Sequence, residues 1–188
     1  MSKNSVRIIG GRHRGRRLNF SDPKGEVRPS SDRLRETLFN WLQFELNGAQ
    51  VLDAFAGTGV LGAEAVSRGA AHATFLDITP QRCQQLNAAL TPVLGAQGTV
   101  ICQDALVWLK NETPKHPFHL VFIDPPYHLG LQEKCCSALM NKPWLANNAL
   151  IYVESDSKLA APPVPAQWQL KKEKTMGQIR AQLYQLTA

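Results

Sequence analysis

Apolar positions along this chain follow two rhythms. Short runs rich in Val, Ile, Leu and Phe alternate with longer stretches in which apolar residues recur every three or four positions. The short runs QVLDAF (50–55), ATFLD (73–77), GTVICQD (98–104), FHLVFID (118–124) and ALIYVES (149–155) read as buried strands. Between them, GTGVLGAEAVSRGA passes from a glycine loop into a helix. PQRCQQLNAALTPVL is a helix with Pro80 near its start, and ALVWLKNE and LQEKCCSALMN are shorter helices. Ahead of the first run, Ser30 or Ser31 can cap a helix through DRLRETLFNWLQFEL, whose Leu34, Leu38, Trp41, Leu42 and Leu46 form one apolar stripe. WQLKKEKTMGQIRAQLYQL supplies two last strands around Gly177. Strands separated by helices mean βαβ units, hence an α/β fold with a mostly parallel central sheet and helices on both faces. Internal repeats are absent, and the one low-complexity stretch, LAAPPVPAQ (159–167), is a surface connection.

Length and composition narrow the class. A chain of 188 residues is one domain with a substantial core. No apolar stretch is long enough for a membrane span, and MSKNSVRIIGG has no hydrophobic core of a secretion signal, so a cytoplasmic protein is expected. Cys83, Cys102, Cys135 and Cys136 lack metal or redox spacing, and the five histidines form no ligand set, so no metal is assigned. His128, beside Tyr127, is read as a loop histidine, and Trp41 and Trp108 as core residues.

The net charge of +6 is concentrated at one end. Residues 1–35 hold ten Lys or Arg against three acids, a balance of +7, while the other 153 residues carry 11 basic and 12 acidic groups. A clustered basic segment suits phosphate neutralisation and therefore a nucleic-acid partner. Glycines interleave the run GGRHRGRR, and the strand-like VRII and LNF flank it. An ordered basic hairpin is expected over residues 1–29, ahead of the main domain at 30–188, with alternate arginines on one face. Arg12, Arg14, Arg16, Arg17, Arg28 and Arg33 are the candidate RNA contacts.

Gly57, Gly59 and Gly62 fit G-x-G-x-x-G between a strand and a helix, with Asp77 twenty residues past Gly57. That spacing suits any adenosine-bearing ligand whose ribose hydroxyls bond a carboxylate on the second strand. Asp53, four residues before the first glycine, would repel a pyrophosphate but attract the ammonium group of a methionine moiety. S-adenosylmethionine has the adenosine and the amino-acid head and lacks phosphate, whereas a nicotinamide dinucleotide does not suit Asp53. Asp104 can accept from the adenine amino group. Any one of Asp53, Asp77, Asp104 and Asp124 alone reads as a carboxylate at a loop start. Four in succession, at the ends of four strands, line the ligand crevice of an open α/β sheet.

D-P-P-Y at 124–127 and VLDAFAGTGVLG at 51–62 resemble the motifs of methyltransferases that act on exocyclic amines. With RIIGGRHRGRRL and RPSSDRLRETLFNWL near the N-terminus, the chain resembles the bacterial 16S ribosomal RNA guanine-N2 methyltransferases, which modify the guanine at rRNA position 966. LDIT at 76–79 departs from the usual pattern, but Asp77 keeps its place. The resemblance implies a Rossmann-like S-adenosylmethionine-dependent methyltransferase fold with a basic N-terminal hairpin. Its implied substrate is 16S rRNA, within a small-subunit assembly particle, and the enzyme is expected to be a monomer. Phe55, Ala56, Ile78 and Ala105 join Asp53, Gly57, Gly59, Asp77 and Asp104 as expected cofactor contacts.

The implied chemistry explains why a buried strand ends in an acid, two prolines and an aromatic. An exocyclic amine conjugated to a base is a poor nucleophile. Asp124 and the Pro125 carbonyl can both accept from it, drawing the nitrogen toward tetrahedral geometry, while Pro126 stiffens the corner and Tyr127 offers a face for the unstacked base. Two other functions remain open on these residues: a DNA adenine or cytosine amino-methyltransferase, and a non-catalytic rRNA-binding assembly factor. The first lacks room for a DNA-recognition domain, and the second would not need the complete Asp124–Tyr127 set.

Overall fold

The computed structural model describes residues 4–21, 31–126 and 129–187, and in these the two rhythms resolve into strands and helices. An antiparallel hairpin of β1 (Asn4–Arg7) and β2 (Arg17–Phe20) comes first. It is followed by α1 (Asp32–Trp41), β3 (Gln50–Asp53), α2 (Val60–Ser67), β4 (His72–Asp77), α3 (Pro80–Leu94) and β5 (Gly98–Cys102). Then come α4 (Ala105–Asn111), β6 (Phe118–Ile123), α5 (Leu131–Met140), β7 (Leu145–Asp156), β8 (Trp168–Met176) and β9 (Ile179–Leu186).

Strands β3 to β9 form one seven-stranded sheet in the order β5-β4-β3-β6-β7-β9-β8. It is parallel from β5 to β7 and antiparallel through β9 and β8. From β3 the chain builds outward through β4 to β5, then returns to add β6 on the other side of β3. The carboxyl ends of β3 and β6 therefore flank a switch point, where open α/β sheets bind ligands.

Alternation along the strands divides the core in two. Val51, Phe75, Leu120, Phe122 and Tyr152 pack with α1, α2, α3 and the hairpin residues Val6, Ile8 and Leu18. Leu52, Leu76, Val121, Ile123 and Val153 pack on the opposite face with α4 and α5. There Trp108 lies 4.5 Å, ring to ring, from Trp144.

Element ends differ from the periodicity where local hydrogen bonds compete. Ser31 caps α1, its Oγ accepting from the Leu34 N–H at 3.2 Å. Regular helix stops at Trp41, and the chain turns through Leu42–Leu46 with both leucines still buried and Trp41 only partly so. Strand β3 ends at Asp53 because the chain leaves the sheet for the glycine loop, with the Ala56 N–H bonding the Leu76 carbonyl at 2.9 Å. Strand β5 ends at Cys102 because Asp104 is the N-cap of α4.

One carboxylate locks the hairpin and α1 onto α2. Glu64, fully buried, accepts from the Ile9 N–H at 2.8 Å and from Arg68 Nε at 2.8 Å, and Arg35 Nη1 lies 3.6 Å away. Arg35, also fully buried, donates to the Arg7 carbonyl at 2.9 Å and to Asp32 at 2.5 Å. The hairpin loop is pinned to the end of the same helix. Ser67 Oγ donates to the Gly10 carbonyl at 2.6 Å and accepts from the His13 N–H at 2.9 Å. Gly11 allows this approach: its φ is +71°, and a Cβ there would sit 1.9 Å from the Ser67 carbonyl oxygen.

Removing one member of a buried ion pair leaves the other desolvated. Glu64→Ala is expected to lower unfolding free energy by about 3–5 kcal/mol. Arg33→Ala on the exposed face of α1 should change it by less than about 0.5 kcal/mol. Urea denaturation of both variants checks the contrast.

Candidate active site

The four acids come together as expected, at the carboxyl ends of the contiguous strands β5, β4, β3 and β6. Each has a distinct setting. Asp53 is 2% exposed, and its Oδ2 accepts from the Gly62 N–H at 3.1 Å, so it also ties down the first turn of α2. Burial pushes its carboxyl up to about 7, offset in part by that hydrogen bond and reinforced by the charges of Asp77 and Glu154. Asp77, buried at the end of β4, accepts from the Thr79 N–H at 2.9 Å and faces Arg82 Nη1 at 3.6 Å. Asp104 lies two residues beyond its strand, half-buried, and takes the Val107 N–H at 2.9 Å. Asp124 is half-buried just past β6, its carboxyl pushed well above the usual range by burial and then by the charges of Glu154 and Asp53.

The glycines of the loop divide between turning and packing. Gly57 and Gly59 have φ of +53° and +73°, which an L side chain rarely adopts. A Cβ on Gly57 would meet nothing nearer than the Phe55 carbonyl oxygen at 3.9 Å, so this turn faces open space. Gly62 instead packs, since a Cβ there would lie 2.4 Å from the Phe75 ring. Phe55 is half-buried, Ala56 and Ala105 are buried, and Ile78 beside Asp77 is 64% exposed. The stretch 54–62 contains no basic side chain, and carboxylates stand on both sides of it. That donor set fits a cationic, phosphate-free ligand with an adenosine, as S-adenosylmethionine is.

Pro125 is buried and Pro126 exposed, its carbonyl accepting from the Leu129 N–H at 3.1 Å. Tyr127 and His128 lie outside the described residues, as does Arg28. Sequence reading missed Glu154, which is 1% exposed and accepts from the Tyr152 hydroxyl at 2.7 Å. Its signal was strand periodicity: two residues after Tyr152 in a buried strand, an acid must face the core.

The hairpin exists, but the arginines are placed differently from strand alternation. Arg12, Arg14 and Arg16 are in its loop, turned by Gly11 and Gly15 at φ +71° and +85°, and only Arg17 is on a strand. All four, with Arg33, are exposed, and none of the four pairs with a carboxylate of the described residues. Arg12 donates to Gln97, Arg16 to the Pro92 carbonyl at 3.3 Å and Arg17 to Ser5 at 2.9 Å. Burial, then the charges of Arg12 and Arg16, hold the His13 ring below its usual value. The loop backbone is held at Ser67, the end of the eight-residue α2, so it lies about 12 Å from the glycine turn at the start of that helix, and the Arg16 side chain reaches farther out, to Pro92 near the last turn of α3. Among the described residues no group of His, Cys, Asp and Glu could hold a metal ion, and no helix is long and apolar enough to cross a membrane.

The family model described as "Conserved hypothetical protein 95" matches residues 6–185. The ribosomal RNA small subunit methyltransferase D of Escherichia coli (strain K12) is 45% identical over 183 residues, 97% of this chain and 91% of that protein. Its Haemophilus influenzae namesake is 43% identical over 186 residues, 98% and 95% of the two chains. A solved structure of yhhF from Escherichia coli superposes with a TM-score of 0.89 at 43% identity, covering 98% of this chain and 99% of that one.

The raised Asp53 carboxyl has a stability consequence. The folded protein holds this proton more tightly than the unfolded chain, whose carboxyl titrates near 3.8. Stability is therefore lost as pH rises from about 4 to about 7, and stays lost above. Asp53→Asn keeps an acceptor for the Gly62 N–H without the charge. It should be more stable than the parent at about pH 8, on the order of 2–4 kcal/mol, and closely matched at about pH 4. Urea denaturation at the two pH values measures this.

Proposed function

Because this chain belongs to the Conserved hypothetical protein 95 family, together with ribosomal RNA small subunit methyltransferases D, we propose that it methylates the exocyclic N2 amine of a guanine in 16S rRNA, the one at position 966. It acts as a cytoplasmic monomer on a small-subunit assembly particle. The observation that carries this reading is the parallel pairing of β3 with β6, whose adjacent carboxyl ends lead into the glycine turn and into Asp124 and Pro125 at the switch point.

S-adenosylmethionine, when bound, supplies an electrophilic methyl group. Asp77 suits its ribose hydroxyls, Asp53 its cationic head, and Asp104 with Ala105 its adenine, with Ile78 offering an exposed apolar surface beside them. Gly57 lets the backbone approach, because no side chain fills the space in front of it. Phe55 and Ala56 shape the turn.

On the substrate side, the guanine N2 lone pair is delocalised into the ring. An ionised Asp124 and the Pro125 carbonyl each accept one N–H, which localises the lone pair and aims it away from both acceptors. Fixed acceptors stabilise the positive charge that develops on nitrogen, and the proline corner keeps them in place before the base arrives. Tyr127 gives the unstacked base a surface to rest on. Asp124 must be ionised to do this, so its raised carboxyl makes transfer slower toward acid pH.

The exposed arginines of the hairpin loop hold phosphates well away from the target base, so the RNA spans the hairpin side of the domain. Such contacts supply affinity without reading sequence.

Two experiments test these assignments. With labelled S-adenosylmethionine and partly assembled 30S particles, the label should map to one guanine N2. Asp124→Ala should cut single-turnover transfer at least a hundredfold with cofactor affinity nearly unchanged. Label on another base overturns the guanine assignment. In the second, Arg12, Arg14, Arg16 and Arg17 are replaced by Gln. RNA binding should weaken and its log–log salt slope should flatten by about 0.7–0.9 per lost phosphate contact, as seen in a salt titration. Equal slopes would mean that another surface holds the RNA.

A further inference from the structure

Strands β6 and β7 bring two carboxyl groups side by side. Ile123 pairs with Val153 in the parallel ladder, so the same register sets Asp124 next to Glu154, on backbones about 5 Å apart. Phe122 and Tyr152 pair two positions before Asp124 and Glu154, and both rings belong to the core half covered by α1 and α2. Alternation therefore sends the Asp124 and Glu154 side chains to that same face. The two carboxyls differ in access. Asp124 is half-buried at the crevice, whereas Glu154 is 1% exposed and so is shut off from a substrate base.

We propose that Glu154 is a positioning residue that acts on the methylated amine only through Asp124, sharing one proton with it and setting the pH at which Asp124 becomes an acceptor. This rests on the reading of Asp124 as the acceptor for the guanine amine.

Neighbouring carboxyls in a poorly solvated site do not both ionise easily. Two hydrogen bonds to Glu154 bear on which of them keeps the proton. The Tyr152 hydroxyl donates to the Glu154 side chain at 2.7 Å, and Gln132 of α5 donates to its backbone carbonyl at 3.3 Å. The Tyr152 bond favours Glu154 as the charged member, which leaves the proton on Asp124. From β3, Asp53 adds a third carboxyl and no counter-charge, and from β4, Asp77 faces Asp53. On the covering helices, Arg35 of α1 lies against Glu64 of α2, and Arg82 of α3 faces Asp77 at 3.6 Å. Entry of a cationic methyl donor among these acids favours loss of the shared proton, so Asp124 becomes an acceptor when the donor is in place.

The test is the pH dependence of single-turnover methyl transfer, from about pH 5 to 9, for wild type, Glu154→Gln and Glu154→Asp. Removing the neighbouring charge should move the acid limb of the Gln variant down by about one pH unit or more. Near pH 6 that variant would then outpace wild type, up to about tenfold, a gain that damage to the fold cannot mimic. The Asp variant should keep the wild-type limb. Coincident limbs for wild type and the Gln variant, or an upward shift, overturn the proposal. Carbon-13 carboxyl NMR of the wild type decides the matter without any Glu154 variant and without turnover. Asp124 and Glu154 must titrate as a linked pair in two separated steps, and independent titrations overturn the pairing. If wild type transfers no methyl group to guanine at any pH, the reading of Asp124 falls, while the NMR result still stands for or against the pair.

Discussion

The buried carboxylate of Glu64 is the contact on which the arrangement of the molecule depends. Helix α2 leaves directly from the glycine turn, and Glu64 sits one turn into it, holding the Ile9 N–H of the hairpin and the guanidinium of Arg68, with Arg35 of α1 beside it. Two burials of charge would be costly alone. Here the oxygens of one carboxylate meet a backbone donor and two cations, and Arg35 meets Asp32 as well. Burial pushes the Asp32 carboxyl up, but hydrogen bonds and charge from Arg7 and Arg35 outweigh it and hold the group below its usual value. The chain of contacts runs Arg7, Asp32, Arg35, Glu64, Arg68. It ends with the Arg68 guanidinium over the Phe39 ring at 5.1 Å. A network of this kind specifies one docking of the hairpin where apolar contacts from Val6, Ile8 and Leu18 would tolerate several.

That docking joins two regions of opposite charge. The hairpin loop carries exposed arginines, while the crevice gathers Asp53, Asp77, Asp124 and Glu154. A single α2 helix separates them: the glycine turn and the Asp53 contact lie at its start, and Ser67 grips the loop at its end. The separation has physical sense. Cations next to the crevice would weaken the attraction of its acids for a cationic ligand, and carboxylates next to the loop would cancel its positive field.

Strand and helix identities, the parallel sheet, the hairpin and the four crevice acids were legible in the sequence. Each rests on a local signal: alternation, 3.6-residue periodicity, proline, glycine spacing, and an acid at a strand end. The Ser31 cap and the turning role of Gly57 and Gly59 belong to the same class, since a few neighbouring residues decide them. Local competition also explains the small misplacements. Asp104 serves α4 as a cap instead of closing β5, and the arginines occupy a loop because Gly11 and Gly15 turn the chain before β2 begins.

What only the tertiary structure decided is which distant residues meet. Arg35 reads as one more charge in the basic N-terminal segment, yet it is fully buried, because Glu64 and Asp32 supply its counter-charges. Glu154 reads as an ordinary strand residue until the β6–β7 register sets it against Asp124, thirty residues earlier in the chain. The position of the basic loop, the length of α2 or about 12 Å from the glycine turn, follows from the direction of that helix and the grip of Ser67 at its end. Periodicity reports which face of an element is buried, since that depends on each residue's own side chain. Register, docking and coupled titration depend on pairs far apart in the chain, and a pair has no local signature until the fold brings it together.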